Sequence, residues 1–399
     1  MKREPRATVL AALAVISALV LTLTACSGSG GSGGIGGSGG SGKTSPAAAI
    51  TVSPASGGRA VAVNRKVTVR ATSGTLTAVE VTAPGPGKLR GTLSGDKATW
   101  TSADRLSPGV TYTVTASGTA SGGKRLTKSA TFTTAEPTAS VVGEYYPDQG
   151  TTVGVGMPVS IVFNKPIQDR AAVERRLSVT TSPAVSGSWS WMKDRSGRDR
   201  VDYRPRTYWK SGTAVTLRMN LDGIDTGGGV YGTQNRVVRF TIGTSVVSTV
   251  DTSNKHLTLR QDGKVLRTLP VSTGKKGYET WNGTMVVLGK VPTITMNSRT
   301  VKIFGTQAYN LKNVKWDVQL TPSGTYAHAA PWNQGKFGRV NGSHGCIGMS
   351  TADAKWFYGH VGVGDVVTVL HSTATVPVNN GYGDWNVSWA DWQAGSALH

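Results

Sequence analysis

One cysteine and two histidines in the last quarter of the chain have the types and spacing needed for covalent chemistry. Cys346 lies in the run Ser343-His-Gly-Cys346, two residues after His344, and His328 lies eighteen residues upstream of the cysteine. A thiol becomes a strong nucleophile when its proton is removed or its pKa is lowered. An imidazole does this by forming an ion pair with the thiolate, provided that a third group fixes its orientation. These residues predict nucleophilic catalysis by Cys346 with help from a histidine.

The backbone around the cysteine suits the same chemistry. Gly345 lets the main chain approach a substrate closely, and the amides of Gly345 and Cys346 are candidates for an oxyanion hole. Two other interpretations remain open on the residues alone. A Cys/His/His set can bind zinc, although a fourth ligand is not evident, and the cysteine can be a small buried side chain.

The N-terminal segment indicates that the rest of the chain lies outside the cytoplasm. A positively charged start precedes an apolar run from Val9 to Leu23, which is short for a transmembrane helix. Leu23-Thr-Ala-Cys26 resembles a bacterial lipobox, in which the cysteine is lipidated and becomes the mature N-terminus. We therefore predict a lipoprotein signal peptide over residues 1–26 and lipidation at Cys26. The protein would then be lipid-anchored on the extracytoplasmic face of the cell membrane and reach into the cell wall. An uncleaved signal anchor is the alternative.

Charge and cysteine count narrow the partners. The chain has two cysteines and a net charge of +21. If Cys26 carries lipid, Cys346 has no intramolecular disulfide partner, and an unpaired thiol outside the cytoplasm is a candidate reactive group. The basic charge favours polyanions, and the location favours anionic wall polymer or lipid headgroups over nucleic acid. Lys and Arg are concentrated between Arg170 and Lys210, as either a solvated basic face or a surface for wall polymer.

Composition along the chain predicts a linker and then several β-rich regions. Residues 27–47 are dominated by glycine and serine, which predicts a flexible linker. Short alternations of apolar and polar residues, such as Val159–Phe163, are separated by turn residues over 48–137 and 138–245. This pattern is typical of two β-sandwiches and resembles immunoglobulin-like modules.

The region over 246–372 has a different character. Gln261–Lys264 contains an Asp-Gly pair that predicts a hairpin turn, and 366–370 reads as a further strand. Residues 351–361 have the one convincing helical pattern, with Ser350 or Thr351 as the cap. The Trp-rich end over 373–399 is expected to pack back onto this region, because so much aromatic surface is costly to leave in water.

The motifs Tyr326-Ala-His-Ala-Ala-Pro-Trp332 and Ser343-His-Gly-Cys346 together resemble the signature of the L,D-transpeptidase family, which has a YkuD-type catalytic domain. The similarity covers about residues 246–372, and the order of segments resembles the actinobacterial lipoproteins of this family. The resemblance implies a mainly β protein. Two immunoglobulin-like β-sandwich modules would precede a β-rich catalytic domain with one or few helices and a small C-terminal subdomain.

The resemblance also implies roles for individual residues. Cys346 is implied to be the nucleophile, His328 the general base and then acid, and His344 a second histidine that supports the thiolate. The positions implied to line the site or bind substrate are Ser343, Gly345, Tyr309, Met296, Ser323, Gly324, Trp332 and Gly348. Family members often carry Ser after the base histidine, where this chain has Ala329, which costs nothing if a backbone carbonyl orients the base. Many carry Asn two residues after the nucleophile, where this chain has Gly348, and this departure puts substrate recognition in question.

The implied reaction is acyl transfer between peptidoglycan stem peptides, acting as donor and acceptor, with no cofactor and no metal. Cys346 would attack the carbonyl of the third residue of a tetrapeptide stem and release D-Ala. The thioester would then pass to the side-chain amine of another stem and give a 3→3 cross-link, and carbapenems would acylate the same thiol. An L,D-carboxypeptidase or other cysteine peptidase, in which water replaces the amine, is one alternative. A non-catalytic wall-binding lipoprotein is the other.

Overall fold

The computed structural model describes residues 47–85 and 87–398, and this part of the chain is mainly β, as predicted. The predicted signal peptide, the lipidation site Cys26 and nearly all of the predicted linker lie outside the described residues. None of the helices within the described ranges is long and apolar enough to cross a membrane.

The first sandwich is built from nine strands in two sheets, with the orders β1-β3-β7-β6 and β2-β9-β8-β4-β5. Alternate residues of its strands point inward, so that Tyr112 and Val114 of one long strand are buried beside Phe132 of its neighbour. The strands are β1 (Ala49–Ser53), β2 (Gly58–Val61), β3 (Thr68–Thr72), β4 (Gly74–Ala83), β5 (Gly87–Lys88), β6 (Gly91–Leu93), β7 (Thr99–Ser102), β8 (Thr111–Ala120) and β9 (Arg125–Thr134).

The second sandwich has two four-stranded sheets, β11-β13-β16-β15 and β12-β19-β17-β14, and a short parallel pair, β10-β18. A short helix, α1, connects β13 to β14. The elements are β10 (Ala139–Val141), β11 (Gly143–Tyr146), β12 (Thr152–Val153), β13 (Val159–Phe163), α1 (Arg170–Glu174), β14 (Leu177–Ser182), β15 (Gly187–Lys193), β16 (Asp199–Pro205), β17 (Ala214–Asn220), β18 (Val230–Gly232) and β19 (Asn235–Ile242).

The third region packs two mixed sheets, β22-β21-β20-β28-β23 and β24-β25-β26-β27, around an apolar core with helix α2. The predicted Asp-Gly turn is confirmed, because Asp262 and Gly263 both have positive φ between two paired strands. The predicted helix is also confirmed, with Ser350 as its cap. The elements are β20 (Val246–Asp251), β21 (His256–Gln261), β22 (Lys264–Pro270), β23 (Gly283–Val286), β24 (Gly289–Asn297), β25 (Asn310–Gln319), β26 (Tyr326–Ala329), β27 (Ile347–Met349), α2 (Thr351–His360) and β28 (Val366–Leu370).

The Trp-rich C-terminal segment contains a 3-10 turn, Asp384–Asn386, and a short helix, α3 (Trp389–Ala394). The segment packs back onto the third region, as expected, through Val376, which belongs to that region's apolar cluster, and through Asn386, which accepts a hydrogen bond from the amide of Thr284. Its tryptophans, however, contact the second sandwich. Trp392 is fully buried and donates a hydrogen bond to the carbonyl of Ser188 in β15, and Trp385 donates to Gly156. The second sandwich attracts these rings because the guanidinium of Arg204 lies 4.5 Å from the Trp392 ring and 4.9 Å from the Trp385 ring.

The basic stretch between residues 170 and 210 is not one continuous charged face. Arg200 and Arg204 lie in the buried strand β16, and Arg200 pairs with Asp202 and approaches Asp384 of the C-terminal segment. Arg170 is bound to the buried Asp199 at 2.8 Å. Many of the basic side chains on which the predicted polymer surface rested therefore form contacts within the protein.

Candidate active site

The register between two short strands brings Cys346 and His328, the nucleophile and base expected from the sequence, to the same face. β26 and β27 run parallel, with Ala327 opposite Ile347 and His328 opposite Gly348. Because side chains alternate along a strand, Ala327 and Ile347 both enter the core, and His328 points to the other face. Cys346 directly precedes β27 and points to that same face. Cys346 and His328 line one cavity there.

The orientation of His328 is fixed by its neighbour's backbone. Its Nδ1 lies 2.8 Å from the carbonyl oxygen of Ala329. A carbonyl only accepts hydrogen bonds, so Nδ1 carries the ring proton and Nε2 is left as the basic atom. The contact needs no side chain at position 329, and the absence of Ser there therefore leaves the orientation of the base intact.

Burial sets the charge of both catalytic candidates. His328 is 5% exposed, and burial lowers its pKa to about 4 against a smaller opposing effect of the Ala329 hydrogen bond. Burial also raises the pKa of the Cys346 thiol to about 11, with the backbone N–H of Tyr326 opposing the shift. The residue keeps some exposed surface, but the atoms packed around the sulfur leave little room for water to solvate a thiolate. Both shifts favour a neutral thiol and a neutral imidazole in the resting pair over the ion pair expected from the sequence.

His344 is held from the other side by a segment that covers the site. This lid segment, residues 298–309, joins β24 to β25 and contains two 3-10 turns, Ser298–Val301 and Gly305–Gln307. The Nε2 of His344 lies 3.1 Å from Oε1 of Gln307, which also accepts a hydrogen bond from the ammonium of Lys275. Burial lowers the pKa of His344, and Lys275 lowers it further. No sequence pattern indicated Gln307, because a single polar residue in a loop has no periodicity to read.

Two aromatic rings complete the setting of His344. Its ring lies 4.8 Å from that of Tyr278, edge to face, and 5.3 Å from that of Tyr309. Tyr309 belongs to the lid segment and was predicted for the pocket, whereas Tyr278 was not predicted. Together with Gln307, these rings hold His344 against the lid segment.

The Ser343-His-Gly-Cys346 loop is shaped from within. The hydroxyl of Ser343 donates to the carbonyl of Cys346 at 2.6 Å and accepts from the amide of Gly345 at 3.1 Å. Gly345 has a φ of +110°, which a side chain would disfavour. The Gly345 amide is therefore engaged in the loop, and of the two amides considered for an oxyanion hole the amide of Cys346 is the better candidate.

Cys346 opens onto two cavities that share Met296 and Tyr309. The first, about 210 Å³, contains His328 and His344, and the second, about 310 Å³, lies toward the lid segment. Of the predicted substrate residues, the first cavity is lined by Ser343, Trp332 and Gly348, the second by Ser323 and Gly324, and both by Met296 and Tyr309. Gly345 lines neither, consistent with a role in loop shape.

Two buried polar residues near the site had no sequence signal. Asn333 lines the first cavity although it is 5% exposed. Asp317 of β25 is fully buried, and within the described residues neither of its carboxyl oxygens has a hydrogen-bond partner. Burial raises the pKa of Asp317 to about 7, and its charge in turn raises the pKa of Cys346. Over residues 47–85 and 87–398, no cluster of three His, Cys, Asp or Glu side chains is suited to hold a metal ion.

Comparison with known proteins matches two parts of the chain to protein families. Residues 245–369 match the L,D-transpeptidase catalytic domain, and residues 58–225, which run across both sandwiches, match a bacterial Ig domain. L,D-transpeptidase 2 of Mycobacterium tuberculosis (strain CDC 1551 / Oshkosh) is 38% identical over 351 residues, which cover 87% of this chain and 85% of that protein. L,D-transpeptidase 5 of Mycobacterium tuberculosis (strain ATCC 25618 / H37Rv) is 32% identical over 357 residues, covering 88% and 78%. A solved structure of an LD transpeptidase in complex with imipenem is 31% identical, with a TM-score of 0.51, and covers 59% of this chain and 100% of that one.

Proposed function

The chain belongs to the L,D-transpeptidase family, and we propose that it forms 3→3 cross-links between peptidoglycan stems through a thioester on Cys346. One observation carries the assignment of roles. Cys346 and His328 line the same cavity, and the Ala329 carbonyl holds His328 as the tautomer whose Nε2 is free to take a proton. This is the arrangement that a buried neutral thiol needs for attack on an amide.

In the first half-reaction the proton moves as the carbon–sulfur bond forms. The sulfur of Cys346 attacks the carbonyl of the third residue of the donor stem, and Nε2 of His328 takes the thiol proton. The backbone amide of Cys346 is suited to stabilise the oxyanion. His328 then gives the proton to the amine of the departing D-Ala, the C–N bond breaks, and the thioester remains.

In the second half-reaction the side-chain amine of an acceptor stem attacks the thioester. His328 takes a proton from the amine and returns it to the departing sulfur, so that the enzyme is restored with a neutral thiol. Because Cys346 opens onto two cavities, donor and acceptor chains can reach the sulfur-bound carbonyl from different sides.

Product analysis tests this function directly. Purified protein is incubated with tetrapeptide stems, and mass spectrometry is used to look for the cross-linked dimer and free D-Ala. The wild-type protein should give both, and Cys346→Ala should give neither. A dimer formed by Cys346→Ala would refute the role of the thiol.

The same assay separates the transpeptidase from a hydrolase. With excess acceptor, transfer to an amine gives dimer, whereas transfer to water gives tripeptide and D-Ala alone. Tripeptide without dimer at every acceptor concentration would show an L,D-carboxypeptidase. Retained wall binding without any turnover would show a binding protein.

The related solved structure contains imipenem, and we propose that this chain also reacts with imipenem. Imipenem should acylate Cys346, because its strained amide presents a carbonyl to the same thiol and base. Intact-mass analysis should show one added imipenem, and Cys346→Ala should show none.

Family members act on the cell wall, and the location proposed for this chain is the outer face of the membrane. Lipidation at Cys26 would tether the enzyme there, and Cys26→Ala should release it from the membrane fraction.

We also propose that exposed basic residues left outside internal contacts, such as Arg175, Arg206 and Lys210, approach anionic wall polymer. Replacing these three residues with Gln should weaken pull-down by purified wall polymer at low salt, and unchanged pull-down would contradict that contact.

A further inference from the structure

We infer that the side-chain amide of Asn333, with Lys336 beside it, binds the terminal carboxylate of the D-Ala that leaves the donor stem. The inference rests on the proposed function, because it assigns one end of the substrate to one wall of the same site. Asn333 and Lys336 were not among the residues indicated by sequence motifs.

The space for such a contact exists because position 348 has no side chain. Gly348 is paired with His328 across the parallel strands and lines the cavity that contains the base and the nucleophile. A Cβ atom at Gly348 would lie 3.1 Å from the Cβ of Ala330 and 3.9 Å from Nδ2 of Asn333. The amide of Asn333 therefore faces the place where a side chain at position 348 would begin.

The orientation of the Asn333 amide is determined by its neighbour. The ammonium of Lys336 lies 3.3 Å from Oδ1 of Asn333, and an ammonium only donates hydrogen bonds. This contact assigns Oδ1 to the Lys336 side and leaves the two N–H donors of Nδ2 on the side of Gly348. The backbone is also fixed, because the main-chain N–H of Asn333 donates a hydrogen bond to the carbonyl of Ala330 at 2.8 Å.

The charge next to Asn333 selects an anionic partner. Lys336 is exposed, and its ammonium reaches Gly342, another residue that lines the first cavity. Two N–H donors with a positive charge close to them match a carboxylate better than a neutral carbonyl.

The position of the base identifies which carboxylate. His328 must give its proton to the amine of the departing D-Ala, so the leaving residue has to lie on the His328 side of Cys346. His328 and Asn333 both line the first cavity and are absent from the lining of the second. The carboxylate of the leaving D-Ala is therefore the substrate anion that lies on this side of the sulfur.

Two donors that differ only at the C-terminus test the inference. The tetrapeptide and its C-terminal carboxamide are compared by the kcat/KM for release of D-Ala or D-alaninamide from the purified protein. Wild type should prefer the free acid by about tenfold or more, in line with a hydrogen bond to a charged group. Asn333→Ala should lose about tenfold on the free acid and change little on the carboxamide.

Further variants make the result independent of folding defects. Lys336→Met alters an exposed side chain and should reduce the preference for the free acid several-fold. Gln334→Ala, an exposed neighbour, should keep the wild-type preference. Iodoacetamide is a neutral thiol reagent, and its rate of reaction with Cys346 should be the same in Asn333→Ala and wild type.

Three outcomes would overturn the inference while leaving the transpeptidase assignment intact. These are equal losses on the two donors, no loss in Asn333→Ala, or no preference for the free acid in wild type. If the wild-type protein releases neither D-Ala nor D-alaninamide, it is the proposed function that fails.

Discussion

In the proposed mechanism, one hydrogen bond and burial set the starting states of His328 as base and Cys346 as nucleophile. The Ala329 carbonyl fixes the tautomer of His328, and burial keeps both groups neutral at rest. The motifs around His328 and Cys346 predicted that these two residues form one site, and the structure brings both of them to one cavity. The sequence could not predict their protonation, because burial depends on chain segments distant in the sequence. It likewise could not predict a role for Asn333, because its side-chain amide faces the cavity only where Gly348 has no side chain.

The two histidines should differ in what their removal costs. His328→Ala should lower kcat for D-Ala release by about 10²–10⁴-fold, the usual contribution of a general base. His344→Ala should cost less, because its contacts with Gln307 and two tyrosines are supportive. Steady-state assays on both variants make the comparison. Full activity in His328→Ala would move the role of base to His344.

The neutral resting pair predicts a wide pH range for acylation. Single-turnover acylation by imipenem should rise as pH increases through the pKa of His328 near 4, because only the neutral ring accepts the thiol proton. It should not fall until pH approaches the pKa of the thiol near 11, above which the pair has no proton to deliver to the leaving group. A stopped-flow pH profile measures both limbs. An acid limb centred near pH 7 would instead indicate a base with the ordinary pKa of histidine.

At the scale of elements, the site depends on β26, β27 and the lid segment. Strands rich in β-branched and other apolar residues were predictable, as Val159–Phe163 and Val366–Leu370 show. The long pair β24 and β25 was not predicted, although Val314, Trp316 and Val318 alternate with polar residues along the chain. A register shift near Ile294 and the positive φ of Asn313 and Trp316 interrupt the pairing, so that alternation alone does not give its bounds. The lid segment has no regular pattern at all, and its contact with His344 is visible only in the folded chain.

Gln307 connects the lid segment to the Ser343–Cys346 loop through its hydrogen bond with His344. Gln307→Ala should free the lid segment, because the hydrogen bonds to His344 and Lys275 would both be lost. Hydrogen–deuterium exchange of residues 298–309 should become faster, and kcat/KM should fall several-fold. Thr306→Ala, an exposed neighbour in the same segment, serves as the control. Unchanged exchange in Gln307→Ala would show that the lid is held by other contacts.

At the scale of the whole molecule, the third region packs against the second sandwich and contributes side chains to its apolar cluster. Val286 of β23 and Val366 of β28, both in the five-stranded sheet of the third region, belong to the apolar cluster of the second sandwich. The C-terminal segment joins them, since Trp392 bonds to Ser188 while Asn386 accepts from the amide of Thr284 in β23. The sequence predicted the modules from local alternation. It could not predict this packing, because contacts between residues 102 and 204 positions apart leave no local pattern.

Removing the central tryptophan of the tail should weaken the fold. Trp392→Ala should lower the free energy of unfolding by about 3–5 kcal/mol, because it leaves a large cavity and removes a ring from Arg204. Denaturant titration followed by circular dichroism measures the change. Trp389→Ala is the matched control and should cost less, because that ring is only half-buried. Equal costs would mean that the burial of Trp392 does not decide stability.

The thioester on Cys346 is tested most directly by trapping it. The purified enzyme is mixed with excess tetrapeptide donor, quenched in acid, and analysed by intact mass and peptide mapping. The protein should gain the mass of the donor acyl group without D-Ala, on the peptide that contains Cys346, and should lose it with dimer formation when acceptor is added. An adduct that retains D-Ala, an adduct on another residue, or dimer formation without any adduct in wild-type enzyme would contradict the mechanism.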